Sequence, residues 1–152
     1  MPEDSLLRGE KIYEYDLDLT GITDFGVSLE AIMSGRESVP PQGARFDLAF
    51  AGRARGRICG AVSGIDYLRI RADGRIDLDI KATIATDDGH RIALAAGGVL
   101  MPRPDEPIVN IFENVSLTTA AADYAWVNTG QIWAVGSVNM TTGKVHVEAF
   151  MQ

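Results

Sequence analysis

The sequence predicts one all-β domain, a single antiparallel β-barrel of about eight to ten strands. Three observations carry the prediction. Apolar and polar residues alternate at period two along most of the chain, the pattern of half-buried strands rather than of helices. Sixteen glycines, with recurrent Asp, Asn and Pro, cut these runs at strand-length intervals. One of the cuts is Asp73-Gly74 between two alternating runs, a strong hairpin signal because both residues tolerate positive φ. Short strands at this spacing suit a sandwich or a barrel, and closure into a barrel removes exposed edges.

Residues 12–20 read as the first strand, with Ile12, Tyr13, Tyr15, Leu17 and Leu19 set among Glu14, Asp16 and Asp18. Residues 27–34 suit a short helix or a loop, and 35–43, with Pro40 and Pro41, a connector too short to divide domains. Residues 46–50 and 54–62 give two more strands. A meander follows: 65–71, 76–86 and 90–99, joined by Ala72-Asp73-Gly74-Arg75 and by Asp87-Asp88-Gly89. Three prolines make 101–107 a loop. Residues 108–117, 124–138 and 144–151 complete the set, the second open to interruption near Thr129-Gly130. The whole chain, 1–152, reads as one domain.

Taking Asp73-Gly74 as a two-residue turn places Leu68 opposite Asp79 and Asp66 opposite Lys81. One wall of the meander then carries Asp66, Leu68, Ile70, Asp77, Asp79, Lys81 and Thr83. The other carries Ile65, Tyr67, Arg69, Ile76, Leu78, Ile80, Ala82 and Ile84. A three-residue loop with a glycine bulge at the second turn adds Ile92 and Leu94 to the second wall, and Ala93 and Ala95 to the first. Two orientations remain open. The apolar wall faces the core and the polar wall faces water. Alternatively the polar wall lines a lumen, where clustered charges shift pKa values, and the apolar wall is covered by a partner subunit or another layer.

A hydrophobic content of 46% supports a packed core and excludes a disordered chain. A net charge of -7 and a pI near 4.7 argue against nucleic acid and anionic membrane surfaces as partners. The single cysteine cannot form an internal disulfide. The first fifteen residues hold no uninterrupted apolar stretch, and the longest near-apolar run, 92–101, is too short for a membrane helix. A cytoplasmic location is the resulting expectation.

Familiar catalytic patterns fail on spacing. Gly52, Gly56 and Gly60 do not match the dinucleotide fingerprint, and residues 60–64 miss the nucleophile elbow. Asp87-Asp88-Gly89 lacks the further ligands of a calcium loop. Two histidines, His90 and His146, and Cys59 stand in no metal-ligand spacing, which excludes a structural zinc site and leaves a carboxylate-and-histidine site open; the expectation is neither metal nor cofactor. Arg53, Arg55 and Arg57 share a strand face, either solvated and edge-protecting or holding an anion. Cys59 reads as a small core residue. Trp126 and Trp133 fall on opposite faces of an unbroken strand, one for the core and one to cap a pocket.

Several short segments in order carry a family resemblance: Gly64-Ile-Asp-Tyr67, Ala72-Asp-Gly74, Leu78-Asp79, Thr86-Asp-Asp-Gly89, Phe112-Glu-Asn114 and Tyr124-Ala-Trp-Val-Asn128. From Pro40 to the C-terminus the chain resembles the bacterial family called domain of unknown function 3237, or uncharacterised protein family 0311. The resemblance implies a closed antiparallel barrel similar in shape to allene oxide cyclase and dirigent barrels, which bind apolar molecules in the lumen and steer cyclisation or coupling. Carried over by position, it marks Asp66, Tyr67, Asp79, Glu113, Trp126 and Asn128 as pocket lining. The same aspartates could instead be structural latches to backbone, Lys81 or arginine.

The functional expectation is a cofactor-independent enzyme of isomerase, cyclase or lyase type, acting on a small apolar or aromatic molecule in the lumen. Asp79, Glu113 and Asp66 are the catalytic candidates, with Asp79 or Glu113 as a general base raised in pKa by burial. Tyr67, Asn128 or Lys81 would polarise a substrate oxygen, and Trp126 would contact the substrate. The alternatives are a non-catalytic small-molecule binder and a structural barrel with no open cavity. A homo-oligomer is expected, through whichever apolar wall the fold leaves uncovered.

Overall fold

The computed structural model describes residues 9–152. Residues 1–8, part of the stretch expected to lack a leader, lie outside the described residues. Eight strands, β1 (Glu10–Asp24), β2 (Ala44–Gly56), β3 (Gly60–Ile70), β4 (Ile76–Thr86), β5 (Arg91–Pro102), β6 (Ile108–Thr118), β7 (Ile132–Asn139) and β8 (Lys144–Met151), follow one another around a closed barrel. Every pairing is antiparallel, and β1 closes the ring by pairing with both β2 and β8. Bulges interrupt both of its registers, between Leu19 and Gly21 against β2 and between Lys11 and Tyr13 against β8. Bulges bend a strand and increase its twist, as closure requires. No helix among the described residues is long and apolar enough to cross a membrane.

The turn at Asp73-Gly74 has one residue more than the two-residue reading allows. The Arg71 N–H donates to the Arg75 carbonyl at 2.8 Å, the Gly74 N–H donates to the Arg71 carbonyl at 2.9 Å, and Gly74 has φ of 94°. This is a three-residue loop with a glycine bulge. The Asp73 carboxylate accepts the Arg75 N–H at 3.3 Å and holds it in place. Ile70 therefore pairs with Ile76, and Asp66 with Ile80. A slip of one residue turns a whole strand over. The inner wall carries Asp66, Leu68, Ile70, Ile76, Leu78 and Ile80, all buried, while Asp77, Asp79, Lys81 and Thr83 of β4 face outward. The second turn follows its expected geometry, and Ile84 pairs with Ile92 and Ala82 with Leu94.

Two further expectations are corrected. The strand expected over 54–62 is broken by a turn at 57–59 after Gly56, whose φ is 126°. Cys59 is therefore exposed rather than in the core, its thiol donating to the Gly56 carbonyl at 3.2 Å. The first part of the strand expected over 124–138 is a 3-10 helix, Ala122–Val127. The Asn128 side chain accepts the Thr119 N–H at 2.9 Å and donates to the carbonyls of Thr119 and Ala125, which folds the segment back on itself.

The two ends of the barrel differ. At one end the turn at 57–59, the turn at 87–90 and the 3-10 helix are tied together: Asp87 N–H donates to Cys59 O at 2.9 Å, and the Tyr124 hydroxyl donates to Asp88 at 3.0 Å. Beneath them Ile12, Tyr13, Ile58, Ile84, Ile92, Val127 and Ile132 are fully buried and fill the interior. At the other end the connection between β1 and β2 carries a short helix, α1 (Leu29–Met33). The Ser28 hydroxyl caps it by accepting the Ala31 N–H at 3.0 Å. Its Leu29 and Ala31 are buried, so α1 covers the mouth with apolar side chains.

Inward-facing glycines sit where neighbouring strands approach most closely. A Cβ on Gly98 would lie 1.9 Å from the Phe112 carbonyl oxygen, and one on Gly136 would lie 2.0 Å from that of His146. Both contacts are with backbone, so only separation of the strands could relieve them. Gly98→Ala is expected to cost at least about 3 kcal/mol, in the range of severe core disruption, measured as a fall in the urea midpoint. A midpoint equal to the wild type would contradict this packing.

Candidate functional site

Alternation along β3 points Asp66 inward between Gly64 and Leu68, and alternation along β6 does the same for Glu113 between Ile111 and Val115. Both carboxylates are only 6% exposed. Asp66 Oδ1 accepts the backbone N–H of Asp79 at 3.0 Å. Glu113 stands between Gly98 of β5 and Ala134 of β7, whose small size leaves room around it. Among the described residues its Oε1 is buried with no hydrogen-bond partner, and so is the Tyr13 hydroxyl. The Tyr13 and Tyr15 rings stack with centroids 5.4 Å apart on β1.

Asp66, Glu113 and Tyr15 share one cavity of about 60 Å³. It runs among Leu48, Phe50 and Leu78 toward the mouth, where Leu29 and Met33 of α1 and Met140 close over it. A single water needs roughly 10–15 Å³, so the space holds more than one water. Among the described residues the wall is apolar except for the two carboxyl groups and Tyr15, and no lysine, arginine or histidine lines it.

Burial disfavours the charged form of each acid. It raises Asp66 to about 7; the N–H of Asp79 works against this rise and the charge of Asp79 adds to it. Burial, with the charge of Asp66 second, raises Glu113 to about 8. Burial first and the charge of Glu113 second also push the hydroxyls of Tyr13 and Tyr15 upward, so both stay protonated. Near neutral pH one carboxyl is thus mostly an acid while the other has substantial base character. That division of labour is the usual basis for acid–base chemistry in one site.

The other residues singled out from the sequence lie elsewhere. Asp79 and Lys81 are on the outer wall, 62% and 64% exposed and 3.6 Å apart. The extra turn residue put them there. Tyr67 also faces outward, with the Arg45 guanidinium 5.4 Å from its ring centroid. Asn128 is the loop latch described above, and Trp126 packs at the closed end with the Arg57 guanidinium 3.8 Å from its ring centroid. Trp133 faces outward, 41% exposed. The alternating arginines are solvated pairs: Arg53 with Asp87, Arg55 with Asp16 and Arg57 with Glu10. Alternation alone marks Tyr13 and Tyr15 only as strand residues, although a tyrosine hydroxyl on an inward face needs a partner.

Among the described residues, two groups outside the lumen have donor sets suited to a metal ion, Glu14 with His146 and Glu148, and Asp88 with His90 and Asp123. In the first, Lys11 pairs with Glu14 at 3.1 Å and with Glu148 at 3.3 Å, and Arg55 pairs with Glu14 at 3.5 Å, so cationic side chains already balance the acids. In the second, Asp88 accepts the Tyr124 hydroxyl. Neither group touches the cavity.

A family model described as protein of unknown function, DUF3237, matches residues 27–151. The chain belongs to the DUF3237 family. Asp66 and Glu113 lie within the matched segment of this DUF3237 chain, and Tyr13 and Tyr15 lie before it. A conserved protein of unknown function from Rhodopseudomonas palustris is similar over 93% of this chain and 95% of its own, with a TM-score of 0.74 and 17% identity. A β-barrel-like protein from Acinetobacter baumannii is similar over 93% of both chains, with a TM-score of 0.72 and 19% identity. An enzyme from Penicillium herquei is similar over 94% of this chain and 92% of its own, with a TM-score of 0.63 and 19% identity. At these identities the shared property is the fold. No curated protein matches the DUF3237 chain.

Proposed function

We propose that this barrel is a cofactor-independent acid–base catalyst of isomerase, cyclase or lyase type, acting on a small, mostly apolar or aromatic molecule in its lumen. The observation that carries the reading is the pair of buried carboxyls, Asp66 and Glu113, facing one apolar cavity with Glu113 Oε1 unpartnered among the described residues. A buried polar atom without a partner costs about 1–3 kcal/mol, so it is retained most readily where a ligand supplies the missing bond. Asp66, as the carboxylate, takes a proton from a C–H or O–H of the substrate. Glu113, as the acid, gives its proton to the oxygen on which charge develops. The net proton count of the site is unchanged, with the proton now on Asp66 rather than on Glu113. The Tyr15 hydroxyl, which has no hydrogen bond to another described residue, is positioned to orient the substrate oxygen. All these polar groups come from one chain, so the reading needs no second subunit. The similarity to a barrel that is an enzyme is consistent with it and carries little weight by fold alone.

The competing reading is a carrier that holds the same kind of molecule unchanged. Purified protein incubated with a small-molecule extract, followed by mass spectrometry, separates the two. Catalysis predicts loss of an apolar species and gain of a product of equal mass or one differing by water. A ligand retained and recovered unaltered, with the extract otherwise unchanged, would favour the carrier.

A further inference from the structure

A second hollow, of about 390 Å³, lies on the outer wall where the excursion carrying α1 leaves β1 and rejoins β2. Phe25 stands on the outgoing stem, Pro40 and Gly43 on the returning stem, and Arg45 and Arg69 on the barrel. No described residue lines both this hollow and the lumen. Arg45 and Arg69 are direct cross-strand partners of β2 and β3. Like charges placed so repel each other unless something neutralises them. Arg45 is neutralised by Asp47, which accepts two N–H bonds at 2.8 and 3.1 Å. Arg69 faces Asp77 on its other side, but Asp77 is engaged by Arg75 at 2.7 Å. The Arg69 side chain therefore has no hydrogen bond or ion pair among the described residues. Beside it the Phe25 ring is 59% exposed, and the Arg45 guanidinium lies 5.1 Å from its centroid.

We propose that this hollow binds a planar organic anion of the aromatic carboxylate class. The carboxylate pairs with the guanidinium of Arg69, which suits a planar two-oxygen acceptor. The aromatic ring lies against Phe25 and covers its exposed face. A bare inorganic anion would meet the charge and leave Phe25 exposed, so the ring distinguishes the ligand class. The site joins both stems of the excursion that covers the barrel mouth.

Benzoate is the probe, followed by amide chemical shifts in the wild type and in Arg69→Met, Phe25→Ala and Glu113→Gln, with sulfate as a second titrant. The expected result is saturable shifts at residues 25–27 and 43–45, and affinity about tenfold or more weaker in Arg69→Met. Phe25→Ala should weaken benzoate while leaving sulfate unchanged, and Glu113→Gln should bind benzoate as the wild type does. Arg69 is exposed, so its variant keeps the wild-type amide spectrum away from the hollow. Equal benzoate affinity in the wild type and Arg69→Met would overturn the proposal. So would shifts centred on the lumen that disappear in Glu113→Gln.

Discussion

Raising the pH from about 5 to about 9 is expected to weaken the folded barrel, and Glu113→Gln to remove about half of that loss. Both lumen acids have folded pKa values above their unfolded ones, Asp66 rising from 3.8 to about 7 and Glu113 from 4.5 to about 8. Between those limits the folded chain binds more protons than the unfolded chain. Stability is then fully present below about pH 4 and is lost as pH rises through the folded values. A carboxyl moved from 4.5 to about 8 accounts for about 4–5 kcal/mol at full ionisation, and Asp66 for a similar amount. His146 acts in the same direction: burial alone would lower its pKa, but hydrogen bonds to Asp16 and Glu148 outweigh this and hold it raised. Asp16 and Glu148 are lowered, chiefly by hydrogen bonds from His146, so their contribution is lost only in acid, below the window in question. Glutamine keeps the shape of protonated Glu113 and cannot ionise. The check is urea unfolding across the pH range for wild type and variant. A flat wild-type profile, or a variant with the same slope, would remove the buried acid from the account.

The second large effect is on turnover of whatever substrate the extract experiment yields. Asp66→Asn and Glu113→Gln are each expected to lower kcat by about 10²–10⁴, the usual worth of a positioned acid or base. KM should change little, because both amides keep the shape of the carboxyl and its capacity to hydrogen-bond. Asp79→Asn, on the outer wall with Lys81, is expected to leave kcat within about twofold and stability within about 0.5 kcal/mol. Equal loss in Asp79→Asn and Asp66→Asn would mean that the lumen is not where the chemistry occurs.

The contrast between Asp66 and Asp79 shows how far the sequence could be read. Alternation and turn residues identified the strands and the barrel, because period two and glycine at positive φ are local properties. The turn at Asp87-Asp88-Gly89 gave its register correctly, and the turn at Ala72-Asp73-Gly74 did not. Asp-Gly satisfies a two-residue turn and the last two places of a three-residue loop equally well. The choice was made by Arg71 and Arg75 bonding across the loop and by Asp73 bonding to Arg75. One residue of slip separated Asp79 from the lumen and joined apolar β4 residues to Asp66. Glu113 was legible through its family motif, but its neighbour Tyr15 was not, because facing across a barrel is a non-local fact. Asn128 and Trp126 read as strand residues for the same reason: the side-chain bonds that coil residues 122–127 reach back to Thr119.

The most direct test of the buried acid pair is its titration. Carboxyl carbon shifts of Asp66 and Glu113, followed by NMR with carbon-13 labelling and assigned from Asp66→Asn and Glu113→Gln, should move with midpoints near 7 and near 8. Asp66→Asn should lower the Glu113 midpoint, because the charge of Asp66 opposes ionisation of Glu113, whereas Glu113→Gln should leave Asp66 near 7, because Glu113 is still protonated where Asp66 titrates. Midpoints near 4 for both groups, unchanged in either variant, would mean that they are solvated and independent, and would contradict the site described above.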